Sequence, residues 1–89
     1  MEFEWDSAKR ISNLEKHGID FADAAKVFEE VSVTVEDSRF NYGEKRLVTF
    51  GVLNERVIAV VHTKRENRTR IISARKATKH ERANYLRKI

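Results

Sequence analysis

Val57 to Thr63 and Thr69 to Arg75 are two runs rich in β-branched and other apolar residues, parted by a short polar stretch centred on Glu66-Asn67. Two such runs at this separation signal a β-hairpin, and the rest of the 89-residue chain must be arranged around it. The apolar positions supply core. The polar positions His62, Lys64, Arg65, Arg68, Arg70, Arg75 and Lys76 are concentrated at the strand ends and the turn. A rigid hairpin that presents cations to one side suits a phosphate-rich ligand.

The length corresponds to one small domain over residues 1–89 with a modest core. Without cysteine there is neither a disulfide nor a Cys-based zinc site, and His17, His62 and His80 lack metal-ligand spacing. No metal or cofactor is therefore expected. No apolar run approaches the roughly 20 residues that span a bilayer, and the acidic opening MEFEWD has no signal-peptide core. The expected location is cytoplasmic, with no membrane partner. The net charge of +4 hides an asymmetry: residues 1–44 carry 5 Lys/Arg against 11 Asp/Glu, whereas residues 64–89 carry 10 against 2. Such a split points to a polyanionic partner for the C-terminal part, or to charges that pair internally.

The local signals place the remaining elements. Phe3-Glu4-Trp5 alternates as a short strand, and Asp6 is an N-cap for a helix over Ser7–His17, with Ile11 and Leu14 on one face and Gly18 at its C′ position. Asp20 caps a second helix, where Phe21, Ala24, Ala25 and Phe28 recur at helical spacing. Val31–Val35 alternates as a strand, Glu36–Glu44 reads as a loop, and Arg46–Val52 forms the next strand, turning at Leu53-Asn54-Glu55. Thr78 and Glu81 form a capping box for a last helix, with Tyr85, Leu86 and Ile89 as its apolar stripe. The expected class is α+β: two N-terminal helices, an antiparallel sheet of about four strands and a C-terminal helix, with helices covering one face.

Metal-free RNA cleavage needs a general base, a general acid and cations that meet the charge of the phosphorane. The C-terminal half offers His62, His80, Glu81 and Tyr85 as proton carriers, and Lys64, Arg65, Arg70, Arg75 and Lys76 as charge stabilisers. Arg75 ends a strand just before the capped helix, where its planar fork could be held against a phosphate. Each residue also has a structural explanation. His62 continues the Ile58, Val60 face and fits a core histidine. Glu81 is accounted for by its capping box, Tyr85 by packing, and Arg75 by an acidic partner from the first 44 residues. The spacing alone defines a small basic α+β domain.

Phe3-Glu4-Trp5-Asp6, Lys9, Asn13, Lys16-His17-Gly18, Phe21, Ala24 and Val27-Phe28, followed by Arg70-Ile71-Ile72-Ser73-Ala74-Arg75-Lys76-Ala77, Glu81 and Tyr85, resemble in order the opening and closing signatures of BrnT-family toxins. The resemblance covers nearly the whole chain. It implies a RelE-like fold and a bacterial ribonuclease toxin of a type II toxin–antitoxin system, which blocks translation and arrests growth. It also implies an RNA substrate and a BrnA-like antitoxin with a ribbon-helix-helix part, through which the complex would bind operator DNA and repress its own operon. Carried over by position, the expected catalytic residues are His62, Arg75, Glu81 and Tyr85. The expected RNA contacts are Lys64, Arg65, Arg70, Lys76 and Lys16. One departure is Glu66, where many relatives carry glycine after the Thr-x-Arg at the hairpin tip; it sets a negative charge beside Arg65. The alternative reading is a non-catalytic module that binds nucleic acid or docks a partner.

Overall fold

The computed structural model describes residues 1–37 and 43–89. Its elements follow in the order β1 (Phe3–Glu4), α1 (Ser7–His17), α2 (Phe21–Ala24) continued by a 3₁₀ segment (Ala25–Glu29), β2 (Val33–Asp37), β3 (Arg46–Leu53), β4 (Arg56–Arg65), β5 (Arg68–Lys76) and α3 (Lys79–Lys88). The strands form one five-stranded sheet in the order β1-β5-β4-β3-β2. The class is α+β, as expected, but the sheet is mixed: β1 joins β5 in parallel, while every other pairing is antiparallel.

The caps explain where the helices begin and end. Asp6 accepts from the Lys9 N–H, Asp20 from the Ala22 N–H, and Gly18 closes α1 in the left-handed conformation at φ 72°. The helical repeat expected after Asp20 tightens after one α-helical turn. With about 3 residues per turn in the 3₁₀ segment, Phe21, Ala24 and Val27 align, and all three are fully buried, whereas Phe28 is only half-buried. The α1 face differs from expectation as well: Ile11 and Leu14 are exposed, and the buried residue is Asn13. Its amide donates to the Ala74 and Ile19 carbonyls at 2.9 and 3.0 Å and accepts from the Ala74 N–H at 3.1 Å. Asn13 thereby occupies the edge of β5 beyond the end of the two-residue β1, satisfying backbone groups that no strand reaches.

Helices cover both faces of the sheet, not the single face expected. Phe21, Ala24 and Val27 pack with Ile58, Val60, Ile71 and Ala74 on one face. Gly51 makes this packing possible, because a Cβ there would lie 2.9 Å from the Val27 Cβ. Tyr85 of α3 packs with Val48, Phe50 and Ala59 on the other face. Leu86 and Ile89 are exposed, so Tyr85 alone anchors α3 in the core. The expected strand at Val31 begins instead at Val33, and Val31 is exposed; Glu36 and Asp37, expected in a loop, extend that strand. The rest of that loop lies partly outside the described residues.

Both hairpin turns have positive φ at two consecutive residues, Asn54 (50°) and Glu55 (69°), then Glu66 (52°) and Asn67 (68°). This is the requirement of the type I′ turn, whose twist matches that of the flanking strands. Asparagine tolerates the conformation; glutamate adopts it because the long strand pairs on either side enforce it. In β5 the pairing passes from Val61↔Ser73 to His62↔Ile71, leaving Ile72 as the extra residue of a β-bulge. A bulge reverses the alternation. Ile71 and Ala74 therefore both reach the α1–α2 face, and Arg75 turns to the α3 face.

Candidate active site

Arg75 stands near the end of β5, and Glu81 lies in the first turn of α3. Thr78 holds that turn in place: its hydroxyl accepts from the Glu81 N–H at 3.1 Å, and Glu81 Oε1 accepts from the Thr78 N–H at 2.9 Å. The same carboxylate receives the Arg75 fork, Nη1 to Oε1 at 2.7 Å and Nη2 to Oε2 at 3.1 Å, and Nη1 also donates to the Lys76 carbonyl at 3.3 Å. These three bonds occupy three of the five guanidinium donors, leaving two for a ligand. The Arg75 hydrogen bonds hold the Glu81 carboxyl down at about 2, against an ordinary 4.5. The pair is thus a fixed carboxylate that orients a fixed cation.

The pair borders a groove between α3 and β2. One cavity, of about 230 Å³, is lined by Val35, Val48 and Phe50 together with Arg75 and Glu81, and by the carboxylates Glu36 and Asp37 at the end of β2. A second, of about 170 Å³, continues along Val33, Phe50, Asn84 and Tyr85 to Lys88. An apolar floor with a few convergent polar groups is the usual composition of a ligand site. Tyr85 forms a wall. It is buried, and its hydroxyl donates to the Val31 carbonyl at 2.8 Å, which ties α3 to the segment before β2.

The structure brings Arg75, Glu81 and Tyr85 together and places His62 elsewhere. His62 is buried on the α1–α2 face, stacked edge-on against Phe28 at 5.0 Å and sharing a 2.7 Å hydrogen bond with the Thr49 hydroxyl, which in turn meets Thr34 at 2.8 Å. Burial pushes its pKa down from 6.5 to about 4, so it is neutral at neutral pH. The sheet separates it from Arg75.

The expected RNA contacts divide in the same way. Lys64 and Arg65 lie at the β4–β5 tip, where Arg65 meets Glu44 at 3.8 Å. Arg70 is held by Glu4 at 2.7 Å. Lys16 is exposed on the last turn of α1. Lys76 lies at the opposite end of the sheet, in a cavity of about 330 Å³ that it shares with His17 and Arg56. Sequence reasoning did not single out Asn13 as the residue that fixes the end of β5, because a lone polar residue in a polar helix carries no local signal. Among the described residues, no group of three or more His, Cys, Asp or Glu is disposed to hold a metal, and no helix is long and apolar enough to cross a membrane.

An α+β chain with a clamped arginine over a half-apolar groove has the form of a small binding or catalytic domain for an anionic ligand. Comparison with protein families makes this specific: residues 5–81 match the family described as ribonuclease toxin, BrnT, of type II toxin-antitoxin system, and the chain belongs to that family. No curated protein matches the chain. Membership implies an RNA substrate and a cognate antitoxin.

Proposed function

We propose that the chain cleaves RNA in the groove between α3 and β2, without a metal, and that Arg75 and Glu81 carry the reaction. The observation behind this reading is the bidentate pair itself: Arg75 is preorganised, half-exposed and still holds two free donors. A phosphodiester entering the groove competes with Glu81 for the fork. As the phosphate takes over the guanidinium, the carboxylate loses the Arg75 hydrogen bonds, the largest cause of its low pKa, keeps the Thr78 N–H, and rises toward the ordinary range, becoming a better base. Glu81 then accepts the proton of the 2′-hydroxyl, whose oxygen attacks phosphorus. Arg75 stabilises the phosphorane charge, the bond to the 5′-oxygen breaks, and Glu81 returns the proton to that oxygen. The products are a 2′,3′-cyclic phosphate and a 5′-hydroxyl. In this scheme Tyr85 positions α3, and His62 serves the core rather than the reaction.

At the level of the cell, the reading is growth arrest through loss of translated RNA, relieved by a BrnA-like antitoxin with a ribbon-helix-helix part, the pair repressing its own operon. Family membership supports this. The test is RNA cleavage by purified protein in EDTA, with mapping of the product ends. Arg75→Ala should lower the rate by about 10²–10³ at unchanged fold. Arg75→Lys should recover only part of it, since an ammonium lacks the fork. Glu81→Gln should be as slow as Arg75→Ala, and Tyr85→Phe should stay within a few-fold of the parent. Full activity in Arg75→Ala would remove the pair from the site, and loss of activity in EDTA would refute the metal-free scheme.

A further inference from the structure

Arg56 opens β4, Lys76 closes β5, and Arg82 lies in the first turns of α3. Backbone pairing gathers them: Lys76 lies opposite Ile58, the Ala77 N–H donates to the Val57 carbonyl at 3.0 Å, and the Arg82 N–H donates to the Thr78 carbonyl at 2.9 Å. The three side chains line one cavity of about 260 Å³, together with Glu55, Val57 and Ala77. Among the described residues, none of the three cations is in a salt bridge, and neither is Glu55. All three are exposed. Asp20 and Asp23 border the larger cavity that Arg56 and Lys76 also line, but they are engaged by Arg10 at 2.8 Å and Lys26 at 3.2 Å, which leaves Glu55 as the carboxylate at this rim outside any salt bridge. A cluster of exposed cations outside any salt bridge raises the local positive potential and draws in an anion.

We infer that Arg56, Lys76 and Arg82 form a phosphate subsite that binds the RNA backbone beside the scissile phosphate. The inference rests on the ribonuclease reading and extends it. Lys76 directly follows Arg75, and consecutive strand residues point to opposite faces. One strand of RNA passing the end of β5 therefore meets Arg75 on the α3 side and the three cations where β4 begins and α3 starts. Contacts of this kind go to phosphate and carry no base information, so the subsite fixes the path of the strand rather than the sequence cut. The cations at the β4–β5 tip have no part in it.

The probe is a fluorescent single-stranded RNA with 2′-O-methyl groups, which cannot be cleaved, followed by anisotropy over a salt series. Each phosphate contact on a single strand contributes a slope of about −0.7 in log K against log salt. The triple variant Arg56→Gln, Lys76→Gln, Arg82→Gln should flatten the slope by about 1–2 and weaken binding by roughly ten- to a hundredfold near 0.1 M salt. The control variant Lys9→Gln, Lys26→Gln, Arg68→Gln, three exposed cations outside the groove and the subsite, should change affinity by less than about twofold, and Glu55→Gln, which removes the rim carboxylate, should tighten binding. Circular dichroism confirms that each variant is folded. An unchanged slope in the first triple variant, or equal losses in both triples, overturns the subsite and leaves the ribonuclease reading standing. Failure of the parent chain to bind the RNA overturns both.

Discussion

The two ends of the sheet carry similar numbers of cations but differ in how many of them are paired. At the β4–β5 tip, Arg65 meets Glu44 at 3.8 Å, Arg68 meets Glu2 at 3.6 Å, and Arg70 is held by Glu4 at 2.7 Å. At the far end, Arg56, Lys76 and Arg82 share a cavity and are in no salt bridge among the described residues. The acidic N-terminal part explains the difference. β1 runs parallel to β5 and so delivers Glu2 and Glu4 to the tip, whereas Asp20 and Asp23, which the same part of the chain brings to the far end, are engaged by Arg10 and Lys26. Cation density along a chain is therefore a poor guide to where a polyanion binds. The potential depends on which carboxylates the fold brings back to those cations.

The largest effect is expected where the open end is held together. Asn13 satisfies both the N–H and the carbonyl of Ala74, immediately before Arg75. Asn13→Ala leaves those two buried groups without partners and should cost about 2–4 kcal/mol, read as a lowered urea midpoint. Asn13→Asp should recover only part of this, because it restores the acceptor for the Ala74 N–H and loses both amide donors. A loss below about 0.5 kcal/mol for Asn13→Ala would mean that the strand end is fixed by something other than the clamp.

Acid should loosen the two halves of the molecule in sequence. His62 has a folded pKa of about 4, below its ordinary 6.5, so the unfolded chain binds the proton more readily. Its neutral form supports the fold fully above pH 6.5, and that support falls away as the pH drops toward 4. The Glu81 carboxyl, held at about 2 against 4.5, supports the fold above pH 4.5 and loses that contribution as the pH falls through about 2. Urea midpoints measured stepwise from pH 8 to pH 2 should thus fall in two windows. His62→Gln should flatten the upper window alone, and Arg75→Ala the lower one. An upper window that persists in His62→Gln would assign it to another group.

What the sequence made legible was mostly local. Asp6, Asp20, Gly18 and the Thr78–Glu81 box mark helix ends within a few residues of themselves, and the structure has them at those ends. The Glu66-Asn67 turn likewise needs only its flanking strands. What was not legible depends on partners distant in the chain. Glu4 and Arg70 are 66 residues apart, and Asn13 and Ala74 are 61 apart. The bulge at Ile72 leaves no compositional trace, yet it decides which face Arg75 occupies. Arg75 does take an acidic partner, as its structural explanation required, but from the helix that follows it rather than from the first 44 residues.

The smallest expected effect bears most directly on the comparison between the two ends. If the tip is inert toward RNA because its arginines are paired, then unpairing them should make it attractive. Glu2→Gln with Glu4→Gln releases Arg68 and Arg70 while keeping side chains of the same shape. The Arg68–Glu2 pair is exposed and contributes little; the Arg70–Glu4 pair is half-buried, so the double variant should lose no more than about 1 kcal/mol of stability. Affinity for the 2′-O-methyl RNA should rise by a few-fold, and the salt slope should steepen by up to about 0.7 for each cation that reaches a phosphate. Combined with the Arg56, Lys76, Arg82 triple substitution, the same change should restore part of the lost binding if the two ends lie along one path of the strand. If it tightens binding only in the parent, the tip reaches RNA solely when the strand is already seated at the open end. If it does neither, pairing is not what silences the tip, and the geometry of the β4–β5 turn must hold those arginines away from the strand.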